Sequence, residues 1–131
     1  MNKKYFAKII AKDNQGLHMI SAYCAESEIK IKDIKYLSKN KIFLISLTRF
    51  KKESVKKDIK INSICKFEFI EKVKSKNIDQ KNYSLKLKLI AIDLLKNKKN
   101  YEISLIFSDN AYITLSTEII EVTLEDQNSN D

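Results

Sequence analysis

Arg49 carries the most specific chemistry in this sequence. It stands in Leu47-Thr48-Arg49-Phe50 and is the single arginine, the other 24 of the 25 basic residues being lysine. The chain favours Lys, Ile and Asn, whose codons are A/T-rich, so an arginine codon is easily lost to lysine in this background. A guanidinium kept here points to a planar fork of fixed donors that an ammonium cannot replace. Glu53 follows four residues later, and Tyr36 is the nearest tyrosine on its N-terminal side. Arg49, Tyr36 and Glu53 form the candidate set, read in two ways. Arg49 contacts a partner, or it pairs with an acid such as Glu53 or Asp33 and pins a hairpin.

Other chemistry is sparse. Hydrolysis or group transfer needs a nucleophile with a base, a carboxylate pair or a metal. His18 is the sole histidine, and Cys24 lies six residues on, a spacing that does not bring two helical side chains together. Cys24 and Cys65 fit no metal or redox spacing and read as buried, reduced thiols. One glycine leaves no room for a Gly-rich phosphate loop. Asp109 with Asp126 or Glu125 forms a carboxylate pair only if the fold joins them, and turn or surface roles are expected instead. The reading leans away from an enzyme and from any cofactor or metal, with an enzyme using an unrecognised site as the second alternative.

Charge is unevenly spread. Residues 1–100 hold all 25 basic residues and 10 acids, a balance of +15, while residues 101–131 hold no basic residue and 7 acids. A basic body of this kind suits nucleic acid or another polyanion. Lys51, Lys52, Lys56, Lys57 and Lys60 form a cluster able to follow a phosphate backbone. The bland counterpart is a solvated, lysine-rich loop, and a single arginine argues against reading of base sequence. Six tyrosines and six phenylalanines interleave with lysines as on base-stacking platforms. Phe43, Phe67 and Phe69, however, sit in apolar-rich strands and are expected in the core.

The elements that must position these residues follow from periodicity. Residues 4–12 alternate as a strand. Asp13 or Asn14 can cap a helix over about 14–26, where Leu17, Ile20, Ser21 and Cys24 form a stripe. Residues 28–37 read as a strand whose phase slips at Asp33, suggesting a bulge. Ile42 to Phe50 is the strongest strand and is expected to be central. Phe43, Ile45, Leu47 and Arg49 share one of its faces. Strands are expected at about 64–74 and 83–94, then a hairpin of 101–107 and 111–117 turning at Ser108-Asp109-Asn110. Residues 118–126 suit either a strand or a short helix. Residues 37–49 align without gaps on 95–107, through Leu37, Lys41, Ile45, Ser46 and Leu47.

These elements predict an α+β domain, a mostly antiparallel sheet of seven or eight short strands with one helix near residues 14–26. The sheet either curls into a half-open barrel, as in pleckstrin-homology-like domains, or forms a sandwich. One domain over 1–126 and a polar tail over 127–131 are expected. No run approaches the roughly 20 apolar residues of a membrane helix. Lys8 and Lys12 interrupt the apolar start, so no signal peptide is read there and a cytoplasmic location is expected.

Several stretches together resemble a family of small bacterial proteins known only as a domain of unknown function. They are Lys8-Ile9-Ile10-Ala11-Lys12-Asp13, Ile20-Ser21-Ala22, Tyr36-Leu37-Ser38-Lys39, Leu47-Thr48-Arg49-Phe50 with Glu53, and Leu89-Ile90-Ala91-Ile92. Ala111, Ile113, Leu115, Glu118, Ile120-Glu121 and Leu124-Glu125-Asp126 complete the series. The order of these short matches, over about 8–126, is more specific than any one of them. An aromatic expected shortly after Phe50 is lysine here, the glycines expected in the last hairpin are Asp109 and Asn110, and a C-terminal extension is absent. The resemblance implies one compact domain and no known activity. The functional expectation is a non-enzymatic binding or adaptor module with a protein partner or as a homodimer. A lysine-rich nucleic-acid-associated protein is the first alternative.

Overall fold

A computed structural model describes residues 6–55 and 59–127. Ten strands and one α-helix follow in the order β1 (Lys8–Ala11), α1 (Asn14–Cys24), β2 (Glu28–Lys30), a 3-10 turn (Ile31–Asp33), β3 (Ile34–Leu37), β4 (Ile42–Phe50), β5 (Lys60–Phe67), β6 (Ile70–Lys76), β7 (Lys86–Lys96), β8 (Tyr101–Phe107), β9 (Tyr112–Thr117) and β10 (Val122–Asp126). All pair antiparallel in one sheet, ordered β1-β10-β5-β4-β2-β7-β8-β9-β6, with β3 added on β4. The α+β expectation stands. The strand number exceeds the expected seven or eight, because the 28–37 segment and the 64–74 segment each break in two.

The break at Asp33 is a 3-10 turn and not a bulge. It lets one apolar run feed two partners, β2 with β7 and β3 with β4. Asp13 caps α1, its carboxylate accepting the Gly16 N–H at 2.8 Å. Gly16 is needed for more than the cap. A side chain on it would put Cβ 3.0 Å from Ala11, so a larger residue would push the helix off β1 by a few tenths of an ångström. Leu17, Ile20 and Cys24 are the buried face of the helix. In the last hairpin Asp109 and Asn110 both take positive φ, 62° and 58°. Asp and Asn are the non-glycine residues that best tolerate that region, so the turn survives without glycine. Residues 122–126 resolve as strand, pairing with β1 on one side and β5 on the other.

The sheet is not flat. β5 ends at Phe67 and β6 begins at Ile70, although six steps of the strand order separate them. Flat, six steps would hold them roughly 29 Å apart, yet the Phe67–Ile70 link reaches no more than roughly 11 Å. The sheet therefore curls back on itself. Where β6 comes back to β3 and β4, Ile70 N–H donates to the Lys41 carbonyl at 2.8 Å, and Tyr36 O–H donates to the Ile70 carbonyl at 2.7 Å. Inside the curl lies one apolar core that includes Phe43, Phe67, Leu105 and Leu115 with the helix stripe. Phe43 and Phe67 meet edge to face, ring centres 6.0 Å apart. Phe69 is the exception to the expected aromatic core. It occupies the tight β5–β6 link at φ 61° and is 42% exposed.

Candidate functional site: a sealed arginine and an open groove

Period two carries Arg49 inward with Phe43, Ile45 and Leu47, and its side chain is fully buried. A buried guanidinium must be paired, and this one is paired completely. Nε donates to Asp126 Oδ1 at 2.9 Å and Nη2 to Asp126 Oδ2 at 2.7 Å. Nη1 and Nη2 donate to the two Glu53 oxygens at 3.1 and 2.7 Å. Nη1 also donates to the Phe50 carbonyl at 3.3 Å. All five N–H groups thus have acceptors, four of them in two bidentate forks. The Tyr23 ring lies 5.1 Å from the guanidinium carbon.

Asp126 is as fully used as its partner. Oδ1 also accepts Ser63 Oγ–H at 2.6 Å, and Oδ2 accepts the Ala7 N–H at 2.8 Å. Burial disfavours the Asp126 charge, but the bonds from Arg49, Ser63 and Ala7 outweigh it and hold the carboxyl below its ordinary range. The bonds from Arg49 do the same for Glu53 against its partial burial. For Arg49, burial alone would ease proton loss, and the two carboxylates reverse that and raise its value.

The candidate set is therefore split. Arg49 and Glu53 are together, as one reading expected. Asp33 takes no part, and Asp126 replaces it. Tyr36 is not beside them: it pairs with Phe43, six residues along β4 from Arg49, and bonds Ile70 at the far end of that strand. The surface role expected for Asp126 is also overturned, since it is only 6% exposed. A signal was available. Val122 and Leu124 alternate inward, and the same phase brings Asp126 inward two residues later.

Two lysines of the cluster, Lys52 and Lys60, are engaged within the fold. The Lys52 ammonium donates to the Ala22 and Ala25 carbonyls at 2.6 and 3.0 Å, closing the C-terminus of α1. Lys60 lies over the Phe50 ring at 5.4 Å. The Lys51 backbone N–H bonds the Ile59 carbonyl. Lys56 and Lys57 lie outside the described residues. His18 is exposed on the helix while Cys24 is buried. Cys24 and Cys65 are free thiols buried in the core, and the Cys24 thiol together with burial pushes the Cys65 thiol up. Asp109 stays on its exposed turn, apart from Asp126. No group of three or more metal-ligating side chains occurs among the described residues.

A second region was missed by sequence reasoning. Between β3 and β6 the curled sheet fails to close, leaving a groove of about 440 Å³. Its floor is Phe43 and Ile113. Ile34 and Tyr36 form one wall and Val73 and Ser75 the other. The connection after β6 brings Ile78 and Tyr83 to the mouth, where Tyr83 is 68% exposed. Two further hollows of about 430 and 440 Å³ are lined mainly by charged and hydroxyl side chains of solvent-facing strands. Only Tyr36, through its bond to Ile70, belongs both to the candidate set and to the groove. The groove could not be read from the sequence because it forms where β6, the last strand of the order, comes back beside β3, which is added on β4.

A family model described as "Protein of unknown function (DUF2948)" matches residues 7–131. No curated protein and no solved structure matches the chain. Among the described residues no helix is long and apolar enough to cross a membrane.

Proposed function

The chain belongs to this family of proteins of unknown function, and from that premise we propose that it is a non-enzymatic binding module whose site is the β3–β6 groove. One observation carries the reading: a cleft of about 440 Å³, lined mostly by apolar and aromatic residues and within the range of ligand sites, opens between two strand edges that no other strand covers among the described residues. Its lining is apolar and aromatic with a few polar groups, Tyr36, Ser75, Gln80 and Tyr83. That composition suits recognition. Arg49 serves the module as structure, because a guanidinium with every donor occupied has none left for a partner.

A cytoplasmic location belongs to the same proposal. Two adjacent free thiols buried in one core fit a reducing compartment.

The test is a fragment screen by amide NMR on the intact chain. Small apolar probes are expected to shift amides of Ile34, Tyr36, Val73 and Ile78 together. Shifts that scatter over the surface, or fall on the solvent face of β5, would overturn the assignment of the site.

A further inference from the structure

Among the described residues β6 is the last strand of the sheet and has a neighbour, β9, on one side only, and β3 pairs only with β4. Both free edges border the groove, so unpaired backbone donors and acceptors stand beside an apolar floor. Such an edge is a template for another strand.

The side chains of the two edges are sorted by face. On β6, Val73 and Ser75 line the groove, so period two turns Lys72, Lys74 and Lys76 to the outer face. On β3, Ile34 and Tyr36 line the groove and Lys35 faces out. The strand opposite β6 does nothing to neutralise its lysines. Ser116, Thr114 and Tyr112 are the cross-strand partners of Lys72, Lys74 and Lys76. The one acid on β6, Glu71, is held by Lys41 at 3.1 Å. Among the described residues none of the four outward lysines is in an ion pair.

Resting on the groove as the binding site, we infer that the free edge of β6 takes up an extended acidic polypeptide segment as an added strand. Its main chain pairs with β6 over Lys72–Lys76. Alternate apolar side chains enter the groove between Val73 and Ile34, and the acids between them stand on the outer face against Lys72, Lys74, Lys76 and Lys35. Cross-strand pairs of opposite charge favour that arrangement and like charges oppose the reverse one. The Tyr36–Ile70 and Ile70–Lys41 bonds close the groove at the start of β6, so the segment enters from the Lys76 end. Main-chain bonds supply affinity and the alternation supplies selectivity, as in strand addition generally.

The probe is a fluorescein-labelled peptide of sequence Val-Glu-Val-Glu-Val-Glu-Val, capped at both ends, followed by anisotropy with the full chain. Binding is expected, weakening with salt. It should fall roughly tenfold for Lys72→Glu/Lys74→Glu/Lys76→Glu, whose three positions are exposed. The single Lys74→Glu variant is the check if the triple variant does not fold, with a smaller loss in the same direction. A peptide with proline in place of the valine at its third position should lose most of its binding, because proline interrupts the ladder. Equal affinity for the proline peptide or for the reversed lysines would overturn strand addition. Absence of peptide binding while apolar fragments still occupy the groove would also overturn it, leaving the lysines as guards against edge-to-edge pairing. Failure of both peptide and fragments would remove the groove as a site.

Discussion

Arg49 and the β3–β6 groove occupy opposite ends of the same molecule's chemistry. Around Arg49 five donors meet acceptors from Asp126, Glu53 and Phe50, and each oxygen of Asp126 accepts two hydrogen bonds. At the groove, strand edges lack neighbours among the described residues and the β6 lysines face uncharged partners. The residue of rarest chemistry is thus spent on holding the sheet together, tying β4 to β10, to the chain before β1 and to the loop after β4. The unfinished polar chemistry lies where the residue types are common. Rarity in a sequence marks what cannot be replaced, which need not be what touches a ligand.

The sharpest way to break this comparison is to unpair the buried ions. Arg49→Met leaves the Asp126 carboxylate buried without its cation and should cost about 3–5 kcal/mol, and Asp126→Leu, which leaves the guanidinium to Glu53 alone, should cost somewhat less. In a domain of this size that lowers Tm by roughly 10–20 °C, read by thermal denaturation followed by circular dichroism. Removing both at once, as Arg49→Met/Asp126→Leu, should cost clearly less than the two single losses summed. A simple sum would mean that the two groups act independently.

Arg49→Lys comes next. An ammonium cannot form both forks, so a loss of about 2 kcal/mol is expected with groove binding of apolar fragments unchanged. Loss of fragment binding with Tm intact would restore a contact role to Arg49 and reverse the comparison.

Acid should act on the sealed region alone. Asp126 and Glu53 are both held below the ordinary carboxylate range in the fold, so the unfolded chain binds more protons in acid. Their contribution is complete above roughly pH 4–5 and is lost as pH falls through and below that range. Tm measured from pH 7 to pH 3 should fall, and the fall should be shallower in Arg49→Met/Asp126→Leu. Identical pH profiles would mean that other carboxylates carry the acid sensitivity.

Two smaller effects complete the series. Lys52→Ala removes the ammonium from the last carbonyls of α1 and should cost about 0.5–1 kcal/mol in chemical denaturation. Tyr83→Ala, at an exposed side chain of the groove mouth, should change stability by no more than about 0.5 kcal/mol while weakening fragment binding. A large stability loss there would make the groove part of the frame.

Much of the frame was legible from the sequence because it rests on local rules. The helix stripe and its Asp13 cap, the central β4 row ending in Arg49, and the hairpin at Asp109-Asn110 each follow from period or turn chemistry. Glu53 was legible as a partner for the same reason, lying one short loop beyond the strand. Asp126 lay 77 residues from Arg49, and nothing local joins them. The alternation through Val122 and Leu124 did contain the information that this carboxylate turns inward, and a buried carboxylate needs a cation. The groove was illegible for another reason. Curl is a property of the whole sheet, forced by the two-residue β5–β6 link, and no single strand encodes it.

The long separation between Arg49 and Asp126 also has a consequence for synthesis. At about 5–20 residues per second, some 4–15 s pass between incorporation of the arginine and of its carboxylate partner. Until then β4 cannot seat its guanidinium in the core with all of its acceptors, and β5 lacks its β10 neighbour. The growing chain must hold that strand open to water while its lysine-rich portion accumulates. The final seal waits for nearly the last part of the sheet, so the protein matures as one late event rather than strand by strand.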